Sequence, residues 1–483
     1  MPMNEILRLS KPISWLDGID PSSGKIIQPD HPQRGESIAG KIVVLPYSTG
    51  STVGAYTFFR LVKAGKHPKK IVLEQPDSVT ISAELAGIPV EIPMARKAYK
   101  PKAEAPEEFL RFLEKEACIS GSKEFVRVSS VHISGVSYTT IGDAGLEFLE
   151  GVADKGLKVK VKSTINPTGM DLVRWREMGI SENYAEKQLR IVRALLRIGA
   201  EPSFTCTPYL VGNRPRQGSH VCWGESSAVA FANSVLGART NREGGVKTVV
   251  SAIVGLTPKY GMHLEENRRP DLVVRLEGFL EGKTEFGVLG YYVGKMAPKS
   301  VPIYEGISKA SEDELKAMGA AGAASGSIEL FHVKGITPEA SLPCKEGCEA
   351  IKVGKKEIKE TVELLSTSGS NPDIVVLGCP HLSRRELQEI ADLLNGRRVK
   401  VSFWIFTSRL VFERNVELCK KIERSGAKVF CDTCMVVCPL RDLGYSVAAT
   451  DSPKAARYLR TFQGLEVILG EIKSLVSLYT TRS

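Results

Sequence analysis

Over the first hundred residues the apolar positions fall into short runs separated by glycine-rich turns. Lys41-Ile-Val-Val-Leu-Pro46 is a run suited to a buried strand. Tyr47-Ser-Thr-Gly-Ser-Thr-Val-Gly54 follows as a glycine-and-hydroxyl loop, Ala55–Ala64 has a helical period, and Lys70–Leu73 predicts another strand. Strand, loop, helix, strand is an α/β signature. Between Ala95 and Pro106 large apolar residues become scarce and Lys, Ala and Pro dominate, as in a semi-rigid linker. The last third alternates cleanly. Strands are predicted at Ile374–Leu377, Val399–Phe406, Lys428–Phe430 and Ser446–Ala449, with helices over Arg384–Leu394 and Leu410–Arg424. That succession implies a largely parallel sheet. The expected organisation is an N-terminal unit over 1–94, a linker over 95–106 and a large unit over 107–483, whose C-terminal α/β part begins near 355.

Composition narrows the class. The 483 residues are 42% hydrophobic and 25% charged, the balance of a soluble globular chain. No apolar stretch approaches the ~18 residues of a membrane span, and Met1–Asp20 lacks the pattern of a signal peptide, so a cytoplasmic location is expected. The net charge is +10, but the basic residues are scattered, with only short clusters such as Lys63–Lys70 and Lys97–Lys102. Without an arginine-rich tail or an aromatic-interleaved basic stripe, nucleic acid is a poor partner. An anionic small molecule accounts for the same excess. Ten cysteines in a cytosolic chain are not a disulfide framework; they are buried hydrophobes, reactive thiols or metal ligands.

Parallel α/β sheets bind ligands at the carboxyl ends of their strands. Cys379, Cys434 and Lys454 fall there, Lys454 in Asp451-Ser-Pro-Lys454 at a helix start that favours an anion. A local alternative is Cys431-x2-Cys434-x3-Cys438-Pro439, which echoes the tail of a ferredoxin run but lacks its first cysteine. Cys344-x3-Cys348 has no second ligand pair nearby. Cys206, in Ser203-Phe-Thr-Cys-Thr-Pro-Tyr209, reads on its own as a core cysteine. Its sequence neighbourhood is richer: Glu225, Ser226, Asn233, Arg239, Asn241 and Arg242 crowd among Ala and Gly, and such groups are hard to bury unless they meet one another or a ligand. Ile133–Gly145 and Thr164–Asp171 mix Gly with hydroxyl or amide residues after strand-like runs, turns whose N–H groups can cradle an anion.

These residues carry a resemblance. Ile133-Ser-Gly-Val-Ser-Tyr138, Thr205-Cys-Thr-Pro-Tyr-Leu210, Phe231–Thr240, Gly378-Cys-Pro-His381 and Asp432-Thr-Cys-Met-Val-Val437 resemble the catalytic chain of the aconitase X family. Ile13–Pro21, Gly35–Lys41 and Thr49-Gly-Ser-Thr-Val-Gly54 are similar to the family's small swivelling domain. The resemblance implies a swivel domain fused to a large, multi-layer catalytic unit with parallel βαβ segments, so that no separate small subunit is needed. It also implies an iron–sulfur hydro-lyase. Cys206, Cys379 and Cys434 correspond to three cluster ligands, which on a [4Fe-4S] cluster leave one iron open. Gly135, Val136, Ser137, Asn166, Pro167, Glu225, Ser226 and Lys454 correspond to the substrate pocket. Two branches fit. One dehydrates (R)-5-phosphomevalonate in an alternative mevalonate pathway; its versions of Gly135–Tyr138, Asn166–Asp171 and Thr240–Gly245 are the nearer ones. The other dehydrates cis-3-hydroxy-L-proline and is commonly a single fused chain. The chain departs from the family pattern at Arg457, where a histidine is usual, and in a reworked Glu107–Glu114. For the proton to be removed, Ser51 is the expected base: ordinary aconitases take a serine from a Gly-Ser-Ser loop on their swivelling domain, and Gly50-Ser51-Thr52 resembles it without the following arginine.

Overall fold

The computed structural model describes residues 5–93, 99–367, 369 and 371–482. Four wholly parallel sheets carry the architecture among them. In the N-terminal unit the strand order is Ile6–Arg8, Ile42–Leu45, Lys70–Leu73, Val90–Glu91. The helical period after the Gly-rich loop resolves into a 3₁₀ turn, Thr52–Tyr56, running into a helix, Thr57–Lys63.

Ser130–Ile133 is the centre of the second sheet, between Lys162–Ile165 and Cys222–Trp223. The three Gly- and amide-rich motifs leave the carboxyl ends of these three adjacent strands. Gly135–Ser137 follow the first, Asn166 and Pro167 the second, Glu225 and Ser226 the third. A third sheet sets Leu272–Leu276 between Pro302–Glu305 and Glu349–Val353, with His332–Val333 at its edge. The fourth has the order Lys428–Phe430, Ser402–Thr407, Ile374–Leu382, Val447–Thr450, Glu466–Leu469. Cys434 and Lys454 lie beyond the carboxyl ends of its strands, while Cys379 sits within the central one. That strand runs further than its apolar core, and its pairing slips between Leu377 and Leu382, at the left-handed Gly378 (φ 105°).

Two sequence expectations are refined. The run Val399–Phe406 divides, because Arg397–Val399 pairs antiparallel with Thr480–Arg482 and only Ser402–Thr407 joins the main sheet. The helix over Leu410–Arg424 breaks at Asn415, whose Nδ2 donates to Val411 O at 2.8 Å, and leaves Arg409–Arg414 and Val416–Glu423. Asparagine competes with the helical ladder in this way. Of the expected linker, Ala95–Ala98 lie outside the described residues; 99–106 carry no helix or strand, and Ala103 and Ala105 pack on the core. No helix among the described residues is long and apolar enough to cross a membrane.

The N-terminal unit and the following segment share one apolar core, running from Leu7, Trp15 and Phe58 to Ile133, Val249 and Val254. Tyr56 is the wedge between them. A Cβ on Gly135 would overlap its ring, and one on Gly245 would stand 2.9 Å from it. Gly135 is also left-handed, at φ 79°. We therefore expect Gly135→Ala to combine backbone strain with overpacking and to destabilise the protein by about 2 kcal/mol or more. Chemical denaturation followed by tryptophan fluorescence would measure it.

Candidate active site

Three of the ten cysteines lie within electrostatic reach of one another. The Cys434 thiol feels both Cys206 and Cys379, and Cys206 feels Cys379. All three are buried. Burial pushes the Cys206 thiol up to about 12 and Cys379 to about 11, and carries Cys434 well above the ordinary thiol range. Cys431 and Cys438 are buried too, but they face elsewhere: Cys431 looks toward Arg409 and Cys419, and no other cysteine bears on Cys438. Cys344 and Cys348 pair with each other on a distant, half-exposed loop.

His381, which sequence reasoning left without a role, ties the three thiol segments together. Its backbone N–H donates to Cys206 Sγ at 3.2 Å. Its Nε2 lies 2.8 Å from Thr433 O and its Nδ1 2.9 Å from Thr205 Oγ1. A carbonyl only accepts, so Nε2 carries the proton and Nδ1 accepts from the threonine hydroxyl. Burial lowers the ring to about 4, which keeps it in that neutral form. The Cys434 loop is held from its other side as well. Thr168 N donates to Asp432 O at 2.7 Å, Cys431 N to Asp171 Oδ2 at 2.7 Å, and Arg409 joins Asp171 to Asp432. The Asn166–Asp171 motif thus serves as scaffold for the loop.

Beside the thiols lies a buried ion pair. Lys454 Nζ is 2.5 Å from Glu225 Oε1, and the residues are 6% and 8% exposed, so each must find its partner inside the protein. Asn166 Nδ2 donates to Glu225 Oε2 at 2.9 Å, and Ser227 Oγ donates to Oε1 at 2.9 Å. Burial opposes ionisation of Glu225, but the Lys454 ammonium and these donors outweigh it and hold the carboxyl at about 2. Burial likewise works against the Lys454 charge; Glu225 and the thiols raise its pKa above the usual lysine range. Ser226 is buried at the first turn of the helix that Glu225 caps. The backbone N–H groups of Gly135, Val136 and Ser137 have no partner among the described residues, while Val136 O accepts from Gln188 and Ser137 Oγ donates to Val437 O at 2.8 Å. Pro167 is buried next to Asn166.

The N-terminal unit reaches this region. Thr52 Oγ1 hydrogen-bonds Gly224 O, one residue from Glu225. Ser51 is half-buried, and its Oγ accepts from Val53 N at 3.4 Å, a long cap. Two further groups gain their partners only in three dimensions. Arg242 from the large unit donates to Gly50 O and Ser48 O, both at 2.9 Å. Tyr458, four residues past Lys454, is buried, electrostatically in reach of Arg457, Asp17, Lys454 and Glu225.

Family models describe the whole arrangement: the aconitase X swivel domain matches residues 3–108, the first domain 95–266, the second 270–363 and the third 372–481. The chain belongs to the aconitase X family. Phosphomevalonate dehydratase large subunit of Methanocaldococcus jannaschii is 48% identical over 370 residues, 74% of this chain and 92% of that protein. Cis-3-hydroxy-L-proline dehydratase of Pseudomonas aeruginosa is 31% identical over 534 residues, 96% of this chain and 92% of that one. The aconitase X swivel segment is matched by the phosphomevalonate dehydratase small subunit of Pyrococcus abyssi, 47% identical over 87 residues, 18% of this chain and 67% of that one. The crystal structure of Thermococcus kodakaraensis aconitase X in its holo-form superposes with a TM-score of 0.73 at 38% identity, covering 77% of this chain and 95% of that one. This aconitase X chain is a hydro-lyase, as both kinds of relative are dehydratases.

The ion pair gives a signed prediction. Glu225 titrates below its ordinary value of 4.5, so its contribution to stability is present above that value and disappears as the pH falls toward about 2. Lys454→Met strands the carboxylate, and we expect a loss of about 3–5 kcal/mol at neutral pH. That deficit should shrink on acidification, once the stranded Glu225 takes up a proton. Urea denaturation of both proteins at several pH values measures the difference.

Proposed function

We propose that the chain is an iron–sulfur dehydratase that converts (R)-5-phosphomevalonate to trans-anhydromevalonate 5-phosphate, a cytoplasmic step in an alternative mevalonate route to isoprenoids. The observation that carries this reading is that His381 ties the Cys206, Cys379 and Cys434 segments together beside the Glu225–Lys454 pair. No group of three or more His, Cys, Asp or Glu among the described residues converges as the ligands of a single metal ion do. Three buried thiols, one accepting a backbone N–H, are instead the soft donor set that suits a polynuclear iron–sulfur group. A bound cation's charge reverses the burial that otherwise keeps them protonated. Cys206, Cys379 and Cys434 would hold a [4Fe-4S] cluster, which when bound would supply a Lewis acid for the departing hydroxyl.

The other roles belong to side chains and backbone. The free N–H groups of Gly135, Val136 and Ser137 suit an anionic group of the substrate. Lys454 keeps one donor beyond those given to Glu225 and Ser227. Glu225 remains ionised and accepts hydrogen bonds, so proton removal falls to another group. Ser51 is that base, with the Val53 N–H supporting its deprotonated oxygen. Identity favours phosphomevalonate, at 48% against 31% for the hydroxyproline relative. Cis-3-hydroxy-L-proline is the second reading, favoured by the alignment of that relative over 96% of the chain, swivel segment included.

The deciding experiment offers both substrates to protein purified anaerobically and loaded with iron and sulfide. Dehydration of phosphomevalonate is expected; turnover of hydroxyproline alone would transfer the chain to the other branch. Serine replacements at Cys206, Cys379 and Cys434 should each lower iron per chain, whereas those at Cys431 and Cys438 should not; the reverse pattern would restore the local Cys431–Cys438 site. Ser51→Ala should retain iron and substrate affinity and lose roughly two or more orders of magnitude in turnover. Near-normal turnover would leave Ser51 as a cap.

A further inference from the structure

The loop that carries Ser51 belongs to the N-terminal unit, yet its backbone is fastened by the large one. Arg242 is 4% exposed and lies 192 residues from Gly50 in sequence. Its Nη1 donates to Gly50 O at 2.9 Å, and its Nη2 donates to Ser48 O at 2.9 Å and lies 3.4 Å from Ser48 Oγ. The fork therefore spans two carbonyls on alternate residues just before Ser51.

The obvious use for a buried arginine is to neutralise a buried acid, and Asp77 is near. The geometry argues against that as its main task. Asp77 Oδ1 is 3.5 Å away, farther than either carbonyl. The carboxylate already has donors of its own: Oδ2 accepts from Ser48 N at 3.0 Å and from Thr80 Oγ1 at 2.5 Å, and Oδ1 from Val79 N at 3.3 Å. Asp77 would keep three hydrogen bonds without Arg242. The carbonyls of Ser48 and Gly50 would lose a charge-assisted donor apiece. Glycine at position 50 fits the same picture, because its backbone is left-handed (φ 76°) and a Cβ there would stand 2.5 Å from Ser14 Oγ. A turn this confined has little freedom once its carbonyls are held.

Arg242 is itself anchored. Its backbone N–H donates to Glu329 Oε2 at 3.2 Å, and two residues on, Gly244 N donates to Ser78 Oγ at 3.2 Å, so the same segment grips the N-terminal unit a second time. Lys299 is a second cation near this junction, within electrostatic reach of Asp77 and Glu329.

We propose that Arg242 is a positioning residue for proton transfer: reaching across the interface, it sets the backbone of residues 48–50 so that Ser51 meets the substrate only when the two units are docked. This rests on Ser51 being the base. A misplacement of about 1 Å in a reacting group costs on the order of 10²-fold in rate without weakening substrate binding to match. A lysine in its place keeps a cation but cannot span two carbonyls.

The test uses the full chain, loaded with iron and sulfide, as Arg242→Gln, Arg242→Lys and Ser51→Ala. Arg242→Gln is expected to keep wild-type iron per chain and a KM within about threefold, and to lose on the order of 10²-fold in kcat. Arg242→Lys should recover part of that loss. Amide hydrogen exchange should quicken over residues 48–54 in Arg242→Gln and stay unchanged over the thiol segments, a readout that does not depend on turnover. If Arg242→Gln does not fold, Arg242→Lys decides by the same split between kcat and KM and by the same exchange measurement. A dead Ser51→Ala beside an Arg242 variant with wild-type kcat and wild-type exchange overturns the role of Arg242 alone. An active Ser51→Ala removes the base, and this proposal with it.

Discussion

A carboxylate and an ammonium buried side by side are the constraint around which the molecule is organised. Each would be prohibitively costly to bury alone, and the pair is tolerable only when its remaining hydrogen-bonding capacity is met. Glu225 stands at the end of a strand in the second sheet and Lys454 at a helix start after the fourth, 229 residues further on. Asn166, from the far edge strand of the same sheet as Glu225, fills the second carboxylate oxygen. The carboxyl ends of two separate parallel sheets must therefore face each other. Once they do, every loop leaving those ends is delivered to the same place.

The thiol triad is a product of that facing. Cys206 comes from the side of the second sheet, Cys379 and Cys434 from the fourth, and a neutral imidazole stitches the two sides by giving its one proton to Thr433 and taking one from Thr205. Burial lowers the basicity of the His381 ring, which favours the neutral form with one donor and one acceptor nitrogen.

The parts of this that could be read from the sequence are those that depend on local periodicity. Short apolar runs between turns locate the strands of the fourth sheet, and the rule that ligands bind at carboxyl ends leads to Cys379, Cys434 and Lys454 without any knowledge of partners. Cys206 is different. It lies two residues past Phe204, held at φ 36° in an irregular stretch, and no strand announces it, so its polar neighbourhood draws attention to it and the family resemblance gives it a role. Residues whose role is defined by a distant partner are opaque for the same reason. His381 looks like the end of a strand, and Arg242 stands out only as one member of a polar cluster with no stated task, until Thr433 and Gly50 are known to be beside them. The break at Val399 belongs here too, since its pairing partner is Thr480, almost at the end of the chain.

The shared apolar core of the swivel segment and its neighbour has a consequence for how such an enzyme is made. Surfaces that merge into one core resemble a domain cut in half, and in Pyrococcus abyssi the corresponding small subunit is a named polypeptide of its own. Two such chains find each other at a rate set by their cellular abundance. Joined in one chain by a short connection, the halves meet at an effective concentration on the order of millimolar, whatever the expression level. Fusion also fixes the ratio of halves at one to one, so neither is left displaying its sticky face to the rest of the cell.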